Sequence, residues 1–107
     1  MFDAPQISSA QVRSFLDNNE EVVIADIRDP QSYARGHIPG AIALNNSNLP
    51  NFLANADKSK QHVIVCYHGN DSQGAALFFR KQGFQKVHSM IGGMYRWLEE
   101  HSDLVER

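Results

Sequence analysis

Val63-Ile64-Val65-Cys66-Tyr67-His68-Gly69-Asn70-Asp71-Ser72 is the stretch on which the reading of this chain turns. Val63, Ile64 and Val65 form a short, wholly apolar β-branched run, the pattern of a strand covered on both faces. The run ends at Cys66, and a polar loop follows. A helix is then expected from about Ser72 to Gln82, stopped by Gly83. Ala75, Ala76, Phe78 and Phe79 are apolar on more than one side of that helix. Both phenylalanines are therefore read as core, with one ring having the option of lining a docking surface.

The flanking sequence repeats this alternation. Upstream, Ser8 and Gln11 have the spacing of a capping box, with Ile7 placed to staple onto Val12. Val12, Phe15 and Leu16 then give one apolar helical face, which ends at Asp17-Asn18-Asn19. Val22 to Ala25 reads as a second buried strand. Pro30 to Arg35 reads as a short helix closed by Gly36. Ala41 to Leu44 is a further short strand, and Leu49, Phe52, Leu53 and Ala56 have amphipathic helical spacing. Downstream, Lys86 to Met90 is a weaker strand. Gly92-Gly93 opens a last helix expected to turn Met94, Trp97 and Leu98 inward. Strands alternating with helices through short connections imply an α/β domain with a mainly parallel sheet. Ligands in such folds sit at the carboxyl ends of strands, where Cys66 lies.

Composition narrows the function classes. The 107 residues read as a single domain, 1–107. With 42% hydrophobic and 21% charged residues, the chain is unlike disordered, collagenous or coiled-coil sequences. Ten Lys/Arg against twelve Asp/Glu give a net charge of −2 with no basic stripe, which argues against nucleic acid. No apolar run approaches the ~20 residues that span a bilayer. Met1-Phe2-Asp3-Ala4-Pro5 lacks the basic start and apolar stretch of a secretory signal. The single cysteine, Cys66, has no intrachain disulfide partner, which fits a reducing cytoplasm and a chemical use of the thiol. His62, His88 and His101 lack metal-ligand spacing, so neither metal nor cofactor is expected. Nothing suggests an obligate interface, and a monomer is the expectation.

A loop leading from a strand into a helix can turn its N–H groups inward as an anion nest. The helix adds unpaired amides and the positive end of its dipole. Gly69 and Asn70 tolerate the positive φ that tight curvature needs. Cys66 at the base of such a nest is expected to react as a thiolate without a general base. The same donors can hold a persulfide or an incoming oxyanion. A cysteine phosphatase would place a phosphate-gripping arginine after five intervening residues, where this chain has Ser72. That disfavours phosphatase or arsenate-reductase-like chemistry.

Cys66-Tyr67-His68-Gly69-Asn70 resembles the active-site loop of the bacterial single-domain rhodaneses. Two more segments match in order. Asp26-Ile27-Arg28-Asp29, with Tyr33 and Gly36-His37-Ile38-Pro39-Gly40-Ala41, resembles the family's N-terminal signature. Gly92-Gly93-Met94-Tyr95-Arg96-Trp97 resembles the C-terminal one. The resemblance implies a rhodanese-like five-stranded parallel sheet flanked by helices on both faces, and a sulfurtransferase. Cys66 would take the outer sulfur of thiosulfate, release sulfite and carry a persulfide. Cyanide, a thiol or a thioredoxin-like acceptor would then remove the sulfur in a ping-pong cycle. Tyr67, His68, Gly69, Asn70, Asp71 and Ser72 would line the substrate site. The alternatives are a non-catalytic rhodanese-like binding module, or a persulfide relay fed by a protein donor.

Several side chains have plainer readings. His68 is expected to matter through its backbone N–H, and Tyr67 as a pocket wall. Asp26 and Arg28 are read as a structural pair, His37 as fixing a turn, Trp97 as core and Glu99-Glu100 as a solvated face. Asp71 departs from the family, whose residue here is commonly uncharged or cationic. It is read as a helix cap that also repels a dianionic substrate.

Overall fold

Strands β1 (Gln6–Ile7), β2 (Val22–Asp26), β3 (Ile42–Ala43), β4 (Gln61–Val65) and β5 (Lys86–Met90) pair in parallel, in the order β1-β5-β4-β2-β3. The computed structural model describes residues 5–107, so the reading of Met1 to Ala4 lies outside the described residues. Helices α1 (Ser9–Asp17), α2 (Pro30–Arg35), α3 (Leu49–Asn55), α4 (Asp71–Lys81) and α5 (Gly93–Glu100) connect the strands and cover the sheet. Among the described residues, no helix is long and apolar enough to cross a membrane.

The central strand β4 is buried on both faces because successive side chains point opposite ways. Val63 and Val65 enter one core with Val12 of α1 and with Met94 and Trp97 of α5. Ile64 enters the other with Ala76 and Phe79 of α4, against which Phe52 of α3 packs. Each buried valine or isoleucine contributes roughly 1.5–3 kcal/mol relative to exposure. This two-sided burial holds β4 rigidly, and with it the residue that follows.

Local chemistry sets the helix ends. The Ser8 side chain accepts from Gln11 N–H at the start of α1, and Asp29 does the same from Ser32 N–H ahead of Pro30 in α2. Ile7 packs in the core with Val12, as the staple expects, and also forms β1, a two-residue strand held by β5. Four expectations need correction. Leu98 and Phe78 are both 41% exposed rather than core. The neighbouring Trp97 and Phe79 fill the sheet-facing sides of their helices instead. Asp71 does not cap α4 but is its first residue; Asn70 holds the cap position, without a side-chain bond. Asn70 also has φ −92°, so the positive φ of the loop falls on Gly69 alone.

Candidate active site

Cys66 follows β4 at its carboxyl end and is 3% exposed. The chain then curls through Tyr67, His68, Gly69 and Asn70 into α4. Gly69 adopts φ +88°, and a Cβ there would lie 2.8 Å from Gly92 N. Only glycine fits both the curvature and the close approach. The curl aims backbone donors at the sulfur. Gly69 N–H reaches Cys66 Sγ at 3.2 Å and Ser72 N–H at 3.3 Å, while Ser72 Oγ lies 3.2 Å away. Ser72 N–H is one of the amides a helix start leaves unpaired. With no side-chain cap from Asn70, the sulfur takes that amide instead. The amide expected from His68 is not among the donors; those of Gly69 and Ser72 are.

The loop is clamped from behind by α5. Met94 N–H donates to Cys66 O at 2.8 Å and Tyr95 N–H to Tyr67 O at 2.9 Å, so the first turn of α5 is capped by the loop's own carbonyls. This contact requires Gly92-Gly93. Gly93 has φ +59°, and a Cβ on it would sit 2.6 Å from Cys66 O and from Tyr67 C and O. The double glycine is legible in sequence as a helix start. Its pressure on the loop is a tertiary fact.

Cys66, Tyr67, His68, Asn70 and Asp71 line a small opening of about 130 Å³ above the sulfur. Tyr67 forms one wall, its hydroxyl bonded to the carboxylate of Asp29, and Asp29 N–H donates back to that hydroxyl at 3.3 Å. Asp29 also caps α2, and its bonds from Ser32 hold its carboxyl below the usual range. His68 packs its ring against Tyr95, 5.1 Å between centroids. Asp71 is exposed in the first turn of α4, where the helix dipole favours an acid.

At the end of neighbouring β2, Arg28 Nε and Nη2 grip Asp26 at 2.8–3.2 Å, and Nη2 also reaches Gly36 O at 2.8 Å. His37 stacks on Tyr33, 3.8 Å between centroids, with Nδ1 2.7 Å from Tyr33 O. These residues satisfy one another and hold α2 and the following turn in place, as a structural pair and a turn-fixing histidine should.

The family model described as "Rhodanese-like domain" matches residues 8–100. The chain is 52% identical to the Thiosulfate sulfurtransferase GlpE of Pseudoalteromonas translucida over 101 residues, covering 94% of this chain and 95% of that one. It is 42% identical over 106 residues to the protein of the same name from Stutzerimonas stutzeri, covering 99% and 95%. Among solved structures, the rhodanese-like domain protein of Staphylococcus aureus superposes with a TM-score of 0.80 at 25% identity, over 95% of this chain and 96% of that one. The family match spans β2, the sulfur cradle and the glycine clamp in one continuous segment, so the chain belongs to the rhodanese-like domain family.

Proposed function

We propose that this sulfurtransferase moves the outer sulfur of thiosulfate through a persulfide on Cys66. The observation that carries the reading is the convergence of Gly69 N–H and Ser72 N–H on one sulfur beneath an opening to solvent. Such donors favour an ionised sulfur, which is the nucleophile. The thiolate attacks the outer sulfur of thiosulfate. A new S–S bond forms on Cys66, the S–S bond of thiosulfate breaks, and sulfite leaves with the electron pair. No proton moves, so no general base is required. Cyanide in the assay, or a thiol or thioredoxin-like acceptor, then attacks the terminal sulfur and returns the pair to Cys66 Sγ.

In this reading Tyr67 and His68 wall the opening, and Gly69, Asn70 and Ser72 shape the cradle. Asp71 sets its charge, weakening a dianionic donor. Residues 1–107 act as one unit, a monomer working in the cytoplasm. The cradle's donors are all in place around the sulfur, which argues against a purely non-catalytic module.

Mass spectrometry after thiosulfate treatment tests the reading. It expects one added sulfur on Cys66, removable by cyanide, and no sulfur transfer in Cys66→Ala. A folded protein that takes up no sulfur returns the chain to the binding-module reading. Hydrolysis of an aryl phosphate would revive the phosphatase one.

A further inference from the structure

Ser89 is a fully buried hydroxyl on the face of β5 that Val87 shares with the α4 core. A buried hydroxyl without a partner is costly, so its bonds must be accounted for. Ser89 Oγ lies 2.6 Å from Ser72 Oγ, and that is its one side-chain hydrogen bond among the described residues. Ser72, also fully buried, lies in turn 3.2 Å from Cys66 Sγ. The three atoms form a chain, and it can be polarised in two directions. If the sulfur donates to Ser72 and Ser72 to Ser89, the Ser89 hydrogen has no acceptor. If Ser89 donates to Ser72 and Ser72 to the sulfur, every hydroxyl hydrogen is used. Cys66 Sγ then receives the Ser72 hydroxyl as well as the two amides. A thiol sulfur accepts weakly, whereas a thiolate accepts strongly.

We propose that Ser89 is a positioning residue, which fixes the direction of the Ser72 hydroxyl and so holds negative charge on Cys66 Sγ. The inference rests on Cys66 being the nucleophile. Ser89 touches no substrate and works only through Ser72. It acts in both half-reactions, because Cys66 Sγ carries the charge as attacking atom in the first and as leaving atom in the second.

The titratable groups around the cradle do not duplicate this role. Tyr67, His68 and Asp71 line the opening, and the Tyr67 hydroxyl is committed to Asp29. On α5, Tyr95 packs on His68, and Arg96 lies over Gly92. His88, beside Ser89 on β5, turns to Gln61 at 3.0 Å. Among the described residues, no ionisable side chain hydrogen-bonds to the sulfur.

The test uses three variants of the full chain. Ser89→Ala removes the hydroxyl, while Ser89→Thr and Ser89→Val match each other in shape and differ only in having it. Because Cys66 is the single cysteine, thiolate ultraviolet absorbance reports it without reference to turnover. The expected result is a titration in Ser89→Ala displaced to higher pH, with kcat lowered about two- to fivefold and the KM for thiosulfate unchanged. A threefold effect corresponds to roughly half a pH unit. Ser89→Thr should stay near wild type and Ser89→Val should follow Ser89→Ala. Identical titrations in the threonine and valine variants would overturn the proposal, as would a wild-type titration in Ser89→Ala. Full turnover in Cys66→Ala would instead sink the reading beneath it, which separates the two failures.

Discussion

Two neighbouring strand ends put buried polar groups within one layer of the molecule, and they are built on opposite plans. At the end of β2, Asp26 and Arg28 close on each other, and Nη2 of Arg28 also donates to Gly36 O. Both carboxylate oxygens of Asp26 are thereby occupied. At the end of β4, donors from the Cys66 loop and α4 converge on one sulfur below an opening. A buried ion pair whose members bond each other is architecture. A buried acceptor with converging donors and access to solvent is equipped for chemistry. The contrast lets the same observation, burial of a polar side chain, be read in two ways according to where its bonds end.

Mutating the two ends should therefore separate stability from activity, and this is the largest effect expected. Asp26→Ala leaves a buried guanidinium without its carboxylate and should cost about 3–5 kcal/mol in denaturant unfolding. Cys66→Ala should leave unfolding near wild type and abolish sulfur transfer. If the two variants exchanged these signatures, the distinction between the strand ends would be gone. Next in size, Gly93→Ala strikes the clamp that links α5 to the loop. Its Cβ would meet Cys66 O and Tyr67 C and O at 2.6 Å, at a φ of +59°. Backbone strain of about 1–3 kcal/mol is expected in the melting curve. If the loop moves by ~1 Å to relieve it, kcat/KM falls by roughly a hundredfold. Unchanged kinetics would mean that the clamp does not set the geometry of the cradle.

A smaller effect is expected at the mouth. Asp71 is exposed, so its repulsion of a dianion is that of charges in water, about 1 kcal/mol at contact distance. Asp71→Ser should lower the KM for thiosulfate roughly fivefold, with the gain shrinking as salt is added. An unchanged or higher KM removes Asp71 from the account of donor affinity.

How far these features could be read in advance depended on the range of the interactions behind them. Helix α2 was legible to the residue, since Pro30 and Gly36 mark its ends and Asp29 caps it by local bonds. Strands β2 and β4 announced themselves because burial on both faces writes a continuous apolar run. Strand β1 left no such trace. Two residues carry no period, and Gln6–Ile7 is a strand because β5 offers an edge. The periodicity of α4 and α5 marks an apolar side but not how much of it the sheet can cover, and so does not place Phe78 and Leu98 at the surface. At the site, Cys66 and Gly69 were visible from the loop pattern. Ser89 was not, because its partner Ser72 lies 17 residues away and meets it only when β5 pairs with β4. Spacing within a loop encodes curvature; hydroxyl chains between elements are written only in three dimensions.

The last effect, visible only as a slope against pH, lies at the opposite end of β4, where a titratable group is buried as architecture. His62 is 1% exposed, lies edge-on to Phe84 at 4.8 Å between centroids, and places Nδ1 2.8 Å from Lys60 O. Burial pushes its pKa below the ordinary value, and the bond to Lys60 O opposes that only in part. In the folded state the ring therefore stays neutral at a pH where the unfolded chain, titrating near 6.5, takes up a proton. The unfolded state binds more protons in that window, so stability falls as pH falls. The contribution is fully present above about pH 6.5 and is lost progressively below it, with a slope of at most about 1.4 kcal/mol per pH unit. His88, also held down by burial, adds a slope of the same sign. His62→Gln keeps a side-chain donor for Lys60 O and cannot charge, so urea unfolding of this variant between pH 5 and 7 should be flatter than wild type, with the remainder due to His88. An equal slope in both proteins would mean that the imidazole takes up its proton over the same pH range folded as unfolded, so that burial in β4 does not exclude its charge.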